Sequence, residues 1–284
     1  MAYTEPVSYP YSDEQIQARL AEYQAADLKY FTYPEAYRFI LNVIDLTTLE
    51  GSDNAAKVQA LCEKALAFED KALNIKTTAA VCVYPPFAAQ AKSLLKGTPV
   101  RVACVAGAFP AGQSPIEIKV AEVAYAVAQG ADEIDMVISR GKFLEGDYRT
   151  VYNEIAAIKA ACGTAHLKVI LETGELGTAD NIYKASQIAI AAGADFIKTS
   201  TGKIKVNATL ESFLVMLDAI KDFYEKTGRM IGMKPAGGIS DADTAICFLK
   251  ILENVLGEKW LTNEYFRIGA SRLLTSILDA IKKI

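Results

Sequence analysis

The stretch Asp195-Phe196-Ile197-Lys198-Thr199-Ser200-Thr201-Gly202-Lys203 has the pattern of a short buried strand that runs directly into a loop. Alanine-rich, helix-periodic sequence from Tyr183 to Gly193 precedes it, and Asn207-Ala-Thr-Leu-Glu opens another helix after it. Lys198 stands where the apolar part of the strand ends, beside Phe196 and Ile197. Desolvation at such a position destabilises the ammonium form, lowers the pKa and yields an amine able to attack carbonyls. The alternative is a long side chain that simply reaches out of the strand end to water.

The same alternation extends in both directions. Apolar, strand-like runs occur at 41–47, 79–84, 100–105, 133–138, 167–172, 195–200, 230–234 and 266–269. Helix-period segments follow them near 53–68, 86–95, 114–129, 146–162, 178–192, 207–227, 241–254 and 270–282. Ser114-Pro115-Ile-Glu117 and Ser240-Asp-Ala-Asp are helix start signals, and Gly130 and Gly193 stand where C-terminal glycines belong. Eight short apolar strands, each followed by a helix, predict an α/β protein, a (β/α)8 TIM barrel. A doubly wound sheet competes, but no strand leads into a GxGxxG turn. Residues 1–35 are polar and tyrosine-rich, with a helix start at Ser12-Asp-Glu-Gln. They are expected to form a short helical N-terminal extension that packs on the body or on a partner subunit, with a single barrel over 36–284.

Composition narrows the function. The chain has 284 residues, 51% hydrophobic and 23% charged, with a net charge of −4 and no run of Lys or Arg. That argues against nucleic acid, whose phosphates demand a basic footprint. The N-terminus lacks a secretory signal and no segment has the apolar length to span a bilayer, so a cytoplasmic protein without a membrane partner is expected. The cysteines, Cys62, Cys82, Cys104, Cys162 and Cys247, are scattered without a CxxC pair, as free thiols would be. The lone histidine, His166, opens an apolar run and is read as structural; a His-rich metal site cannot be built.

In a (β/α)8 barrel the C-terminal strand ends form the active face. The misfit polar residues gather there: Asp45 and Thr47, Cys82, Asp135 inside Ile134-Asp-Met-Val137, Lys168 and Glu172, Lys198, Lys234, and Arg267-Ile-Gly269-Ala-Ser271-Arg272. Lys168 and Glu172, four residues apart, are expected on one strand face. Each alone could be a structural polar group, but interior charges are costly unless paired or used. Gly237-Gly238-Ile-Ser240 and Gly269-Ala-Ser271 offer backbone N–H groups at helix starts, an anion cradle at the loops where this fold often holds phosphate. Plain turn glycine explains either loop singly; the pair favours a phosphorylated substrate.

Five stretches carry a resemblance: Phe196-Ile-Lys-Thr-Ser-Thr-Gly-Lys203, Gly232-Met-Lys-Pro-Ala-Gly-Gly238, Leu167-Lys-Val-Ile-Leu-Glu-Thr-Gly-Glu-Leu176, Gly130-Ala-Asp-Glu-Ile-Asp135 and Ile44-Asp-Leu-Thr-Thr-Leu49. From about residue 38 to 280 the chain resembles the 2-deoxyribose-5-phosphate aldolase family. The resemblance implies a lyase: a metal-free, cofactor-free class I aldolase that reversibly cleaves 2-deoxy-D-ribose 5-phosphate to D-glyceraldehyde 3-phosphate and acetaldehyde in deoxynucleoside catabolism. It further implies Lys198 as the Schiff-base lysine, Lys234 as its cationic neighbour and Asp135 as part of a proton relay with water. Asp45, Lys168, Cys82 and Glu172 would complete the polar surroundings, and Thr201, Lys203, Gly237, Gly238, Gly269 and Ser271 would hold the phosphate. A homo-oligomer, dimer or larger, is expected from the tyrosine-rich N-terminus. Met233 departs from the aromatic residue common before the second lysine, and Arg272 from a small one. Rival readings are another Schiff-base aldolase or transaldolase, a phosphosugar-binding barrel without catalysis, and an isomerase resting on Glu172.

Overall fold

In a computed structural model, which describes residues 3–68 and 76–283, eight parallel strands form a barrel in the order β7-β6-β5-β4-β3-β2-β1-β8. Two helices precede it, α1 (Asp13–Ala25) and α2 (Tyr33–Asn42). The repeat then runs β1 (Ile44–Thr47), α3 (Ala55–Leu66), β2 (Ala80–Val83), α4 (Ala88–Leu94), β3 (Arg101–Ala106), α5 (Ile116–Ala128) and β4 (Glu133–Val137). Two helices follow that strand, α6 (Arg140–Leu144) and α7 (Tyr148–Cys162), and two follow β5 (His166–Ile170), namely α8 (Thr173–Leu176) and α9 (Ala179–Ala191). The chain closes with β6 (Phe196–Lys198), α10 (Leu210–Thr227), β7 (Gly232–Lys234), α11 (Ala242–Val255), β8 (Ile268–Ala270) and α12 (Leu273–Ile281). Isolated parallel bridges at Met233–Phe266 and Ala236–Gly269 join β7 to β8 and complete the ring.

Strand alternation sorts the side chains into two cores. Ile44, Leu46, Val81, Val83, Val102, Cys104, Ile134, Met136, Leu167, Val169, Ile197, Met233 and Ile268 point outward into one large apolar layer under the helices. Their inward neighbours on β2 and β3 form a separate small cluster of Cys82, Ala103 and Val105, capped by Leu49. On β1, β4, β5, β6 and β7 the inward positions include the charged residues Asp45, Glu133, Asp135, Lys168, Lys198 and Lys234. Burying the outer layer supplies the hydrophobic drive, which leaves the interior free to carry polar chemistry.

The expected strand at 41–47 is shortened. Leu41 and Asn42 finish α2, whose capping box at Thr32 and Glu35 starts it ahead of the expected barrel boundary at residue 36. The start of α11 is capped by Asp241, which accepts from the Thr244 N–H, and not by Ser240. No side-chain cap starts α5. Gly130 and Gly193 follow their helices at φ +96° and +107°, as the expected C-terminal glycines require.

The N-terminal segment lies on the outer layer of its own chain. Ile16 and Leu20 of α1 are buried against the α10–α11 side. Arg19 makes a two-pronged contact with Asp218 at 2.7 Å for each nitrogen, and the Tyr9 hydroxyl donates to the same carboxylate at 2.5 Å. Several N-terminal tyrosines are therefore engaged internally, while Tyr11, Tyr30 and Tyr33 stay exposed.

Candidate active site

The charged interior is built by register. Lys198 on β6 pairs in register with Lys234 on β7, and Lys168 on β5 with Asp135 on β4. Two residues earlier on three of these strands, Glu133, Phe196 and Gly232 face the same way. A Cβ on Gly232 would fall 2.3 Å from the Phe196 ring, and one on Gly269 would meet Ala236 at 2.8 Å and the Lys234 side chain at 3.2 Å. Glycine at these two positions makes room for the Phe196 ring and for the extended Lys234 side chain.

Asp135 is the hub. Its Oδ2 accepts from Lys198 Nζ and Lys234 Nζ, each at 2.7 Å, and its Oδ1 accepts from Lys168 Nζ at 2.9 Å. Lys234 also donates to Asp45 at 2.5 Å. Lys168 donates to Glu133, and Arg267 bridges Glu133 at 2.8 Å and Asp45 at 2.7 Å. Arg101, at the solvent edge of this network, touches Glu133 at 3.1 Å and shares its charge with exposed Glu264. The buried set is then four cations, Lys168, Lys198, Lys234 and Arg267, against three carboxylates, Asp45, Glu133 and Asp135. One positive charge is in surplus, and isolated buried charge is the costliest kind.

The pKa directions locate the surplus. For Lys198, burial is the largest influence and lowers its pKa; Lys234 lowers it further, against the pull of Asp135. For Lys234, burial also pulls downward, but Asp135 and Asp45 together outweigh it and hold the pKa above the ordinary value. Lys168 is raised for the same reason, burial being overcome by Asp135 and Glu133. Asp135 is held well below the usual carboxylate range, its burial overridden by Lys168, Lys198 and Lys234. Of the three lysines, Lys198 is thus the one whose ammonium form the surroundings disfavour. Burial pushes the Cys82 thiol up to about 11, with Asp135 adding to the rise.

Lys198 is also the network member that meets a cavity, of about 330 Å³. Thr201, Lys203, Gly237, Gly238, Gly269 and Ser271 all line it with Lys198, as do Thr47 and Arg272. Gly237 and Gly238 both take φ +83°, and a Cβ at Gly237 would strike Asn207 at 2.7 Å. Lys203 donates to Glu50 at 2.8 Å across the mouth. Asp135, Lys234, Asp45, Lys168 and Cys82 lie behind this surface and are fully buried.

A lysine of lowered pKa, a carboxylate held well below its usual range and a glycine-lined cavity at the strand ends are the parts a carbonyl-addition site needs. The DeoC/LacD family aldolase profile matches residues 39–255. The chain belongs to that family. A human deoxyribose-phosphate aldolase is 51% identical to this aldolase over 277 residues, 93% of this chain and 84% of the human one. Among solved structures, the aldolase QR15 is 32% identical with a TM-score of 0.71, over 86% of this chain and 96% of that one. The deoxyribose phosphate aldolase of Aeropyrum pernix, described as a tetramer, shares the fold at 23% identity and a TM-score of 0.68, over 96% and 99% of the two chains.

Glu172 of this aldolase does not join the lysine network as its spacing from Lys168 predicts. Strand β5 ends at Ile170, and Glu172 adopts a left-handed backbone, φ +58° and ψ +60°, which breaks the alternation. Its carboxylate instead accepts from the Thr201 N–H and hydroxyl and from Arg140. The Thr201 hydroxyl hydrogen is committed there, so toward the cavity this residue offers no free O–H. Glu133 and Arg267 went without a role in the sequence reading, although each lies two residues before an inward position, Asp135 or Gly269. Met233 faces outward into the apolar layer, so that departure lies away from the cavity, whereas Arg272 lines it. His166 starts β5, and its Nδ1 is buried without a hydrogen-bond partner among the described residues. No helix among the described residues is long and apolar enough to cross a membrane.

Proposed function

We propose that this chain is a class I aldolase that reversibly cleaves 2-deoxy-D-ribose 5-phosphate to D-glyceraldehyde 3-phosphate and acetaldehyde. The observation that carries the reading is a buried network with one cation in surplus, whose one member at the cavity, Lys198, has a lowered pKa. The names of the relatives support the substrate.

Lys198 Nζ adds to C1 of the open-chain sugar, and the carbinolamine loses water to give an iminium. Loss of the 3-hydroxyl proton then breaks the C2–C3 bond. Its electrons pass to the iminium, leaving an enamine and releasing D-glyceraldehyde 3-phosphate. Protonation of the enamine carbon and hydrolysis release acetaldehyde and return the amine. The iminium is the electron sink, so the chain's own amine supplies the activation. Asp135, ionised, faces the new cation, and with Lys234 and a bound water it relays protons for dehydration and for the enamine step. Asp45, Lys168, Glu133 and Arg267 fix the orientation of these three. Lys203, Thr201 and the Gly237–Gly238 and Gly269–Ser271 loops receive the phosphate, chiefly through backbone N–H groups. Arg272 adds a positive charge at the same rim.

A cytoplasmic location is also expected, and so is a homo-oligomer, which the exposed Tyr11, Tyr30 and Tyr33 support and light scattering checks. The chemistry is tested by borohydride reduction in the presence of acetaldehyde, followed by peptide mass spectrometry. An ethyl adduct on Lys198 alone is expected. No adduct on intact protein would sink the Schiff-base reading.

A further inference from the structure

We infer that Glu172, paired with Arg140, is a positioning residue that holds the phosphate-side loop after β6 and so sets the preference for a phosphorylated substrate. The inference rests on the phosphate reading above. Arg140, at the start of α6, donates to Glu172 at 3.2 Å and to the carbonyls of Pro110 and Ala111, in the loop after β3, at 3.1 and 2.9 Å. Glu172, in the loop after β5, accepts from Thr201 in the loop after β6, at 3.2 Å from the N–H and 2.5 Å from the hydroxyl. Thr201 Oγ1 in turn accepts the Lys203 N–H at 3.1 Å. One buried carboxylate thus ties four successive loops of the active face and ends the chain of contacts on the lysine at the cavity mouth.

Two further observations favour a functional device over incidental pairing. Among the described residues, the non-glycine residues at positive φ are Ala108 (φ +60°) and Glu172 (φ +58°). They sit in the two loops that Arg140 joins, and such conformations persist only where the surroundings over-determine them, commonly at functional sites. The loops after β5 and β6 also touch directly: a Cβ on Gly174 would fall 2.2 Å from the Val206 carbonyl oxygen. Glu172 itself is fully buried and is absent from the cavity wall, where Thr201 stands. It therefore acts through Thr201, and its negative charge is met by Arg140 instead of facing a phosphate.

The test compares kcat/KM for 2-deoxyribose 5-phosphate and for 2-deoxyribose in the unmodified chain, Glu172→Gln and Glu172→Ala. Acetaldehyde–borohydride labelling of Lys198 serves as the control on the amine. In Glu172→Ala the preference for the phosphorylated sugar should fall about tenfold through KM, the weight of one charge-assisted hydrogen bond. Activity on the unphosphorylated sugar and labelling should be unchanged, and the isosteric Glu172→Gln should recover part of the loss. An unchanged preference with labelling intact overturns the inference, as does an equal fall on both sugars. Failure of the unmodified chain to label would count instead against the Schiff-base reading, which separates the two.

Discussion

Lys168 and Lys198 are both buried, both donate to Asp135, and sit on adjacent strands, yet their pKa values move in opposite directions. Lys168 lies deep in the barrel among Asp135, Glu133 and Asp45, three carboxylates that together outweigh burial. Lys198 lies at the mouth with Asp135 as its sole carboxylate partner, one already shared with Lys168 and Lys234. The difference is in the count of carboxylates per cation and not in burial or residue type. A barrel can therefore raise the pKa of a lysine in one layer and lower that of a lysine in the next.

The sharpest way to break this comparison is to remove each lysine in turn. Lys198→Met should abolish aldol cleavage to the background rate while leaving thermal stability equal or higher, because Lys168, Lys234 and Arg267 still match the three buried carboxylates. Lys168→Met should lower stability by about 1.5–3 kcal/mol in denaturant unfolding, since Glu133 and Asp135 each lose a buried charge-assisted hydrogen bond. If both substitutions destabilise alike, the two lysines do not differ as described. Lys234→Met removes the neighbouring positive charge that helps lower Lys198. The pH at which activity or labelling is half-maximal should then rise by about 1 unit, read from the pH profile of kcat/KM. A profile that stays put would assign the lowered pKa to burial alone.

The smallest expected effect concerns acid stability. Asp45, Glu133 and Asp135 are held below their ordinary values of 3.8, 4.5 and 3.8 by the surrounding cations, which overcome the opposing effect of burial. A carboxylate whose folded pKa is depressed contributes stability that is complete above its unfolded pKa and lost as pH falls through the folded one. Melting temperature should therefore be insensitive to these groups above about pH 5 and decline progressively below it. A chain carrying Asp45→Asn should show a shallower decline.

Much of this site is legible in the sequence because strands alternate. Lys198, Lys234 and Asp135 stand out as charges inside apolar runs, and the Gly237–Gly238 and Gly269–Ser271 loops follow directly from the strand ends. Glu133 and Arg267 hide at the starts of their strands, where polar residues are ordinary, and only the partner across the barrel reveals their use. The Glu172 reading fails because strand periodicity was extended past Ile170, and a left-handed residue cannot be seen in the sequence when it is not glycine. Helix α6, five residues long, carries too little periodicity to register in the sequence. β1 starts later than the apolar run suggests because Ile40 and Leu41 are apolar in α2 for helix packing, not for the sheet.

The most direct test of the central claim is the rate of borohydride-trapped acetaldehyde adduct formation on Lys198 across a pH series. A lowered amine predicts half-maximal trapping below the ordinary lysine value of 10.5, with Lys234 unlabelled throughout. Half-maximal trapping at or above that value, or an adduct on Lys234, would contradict the account.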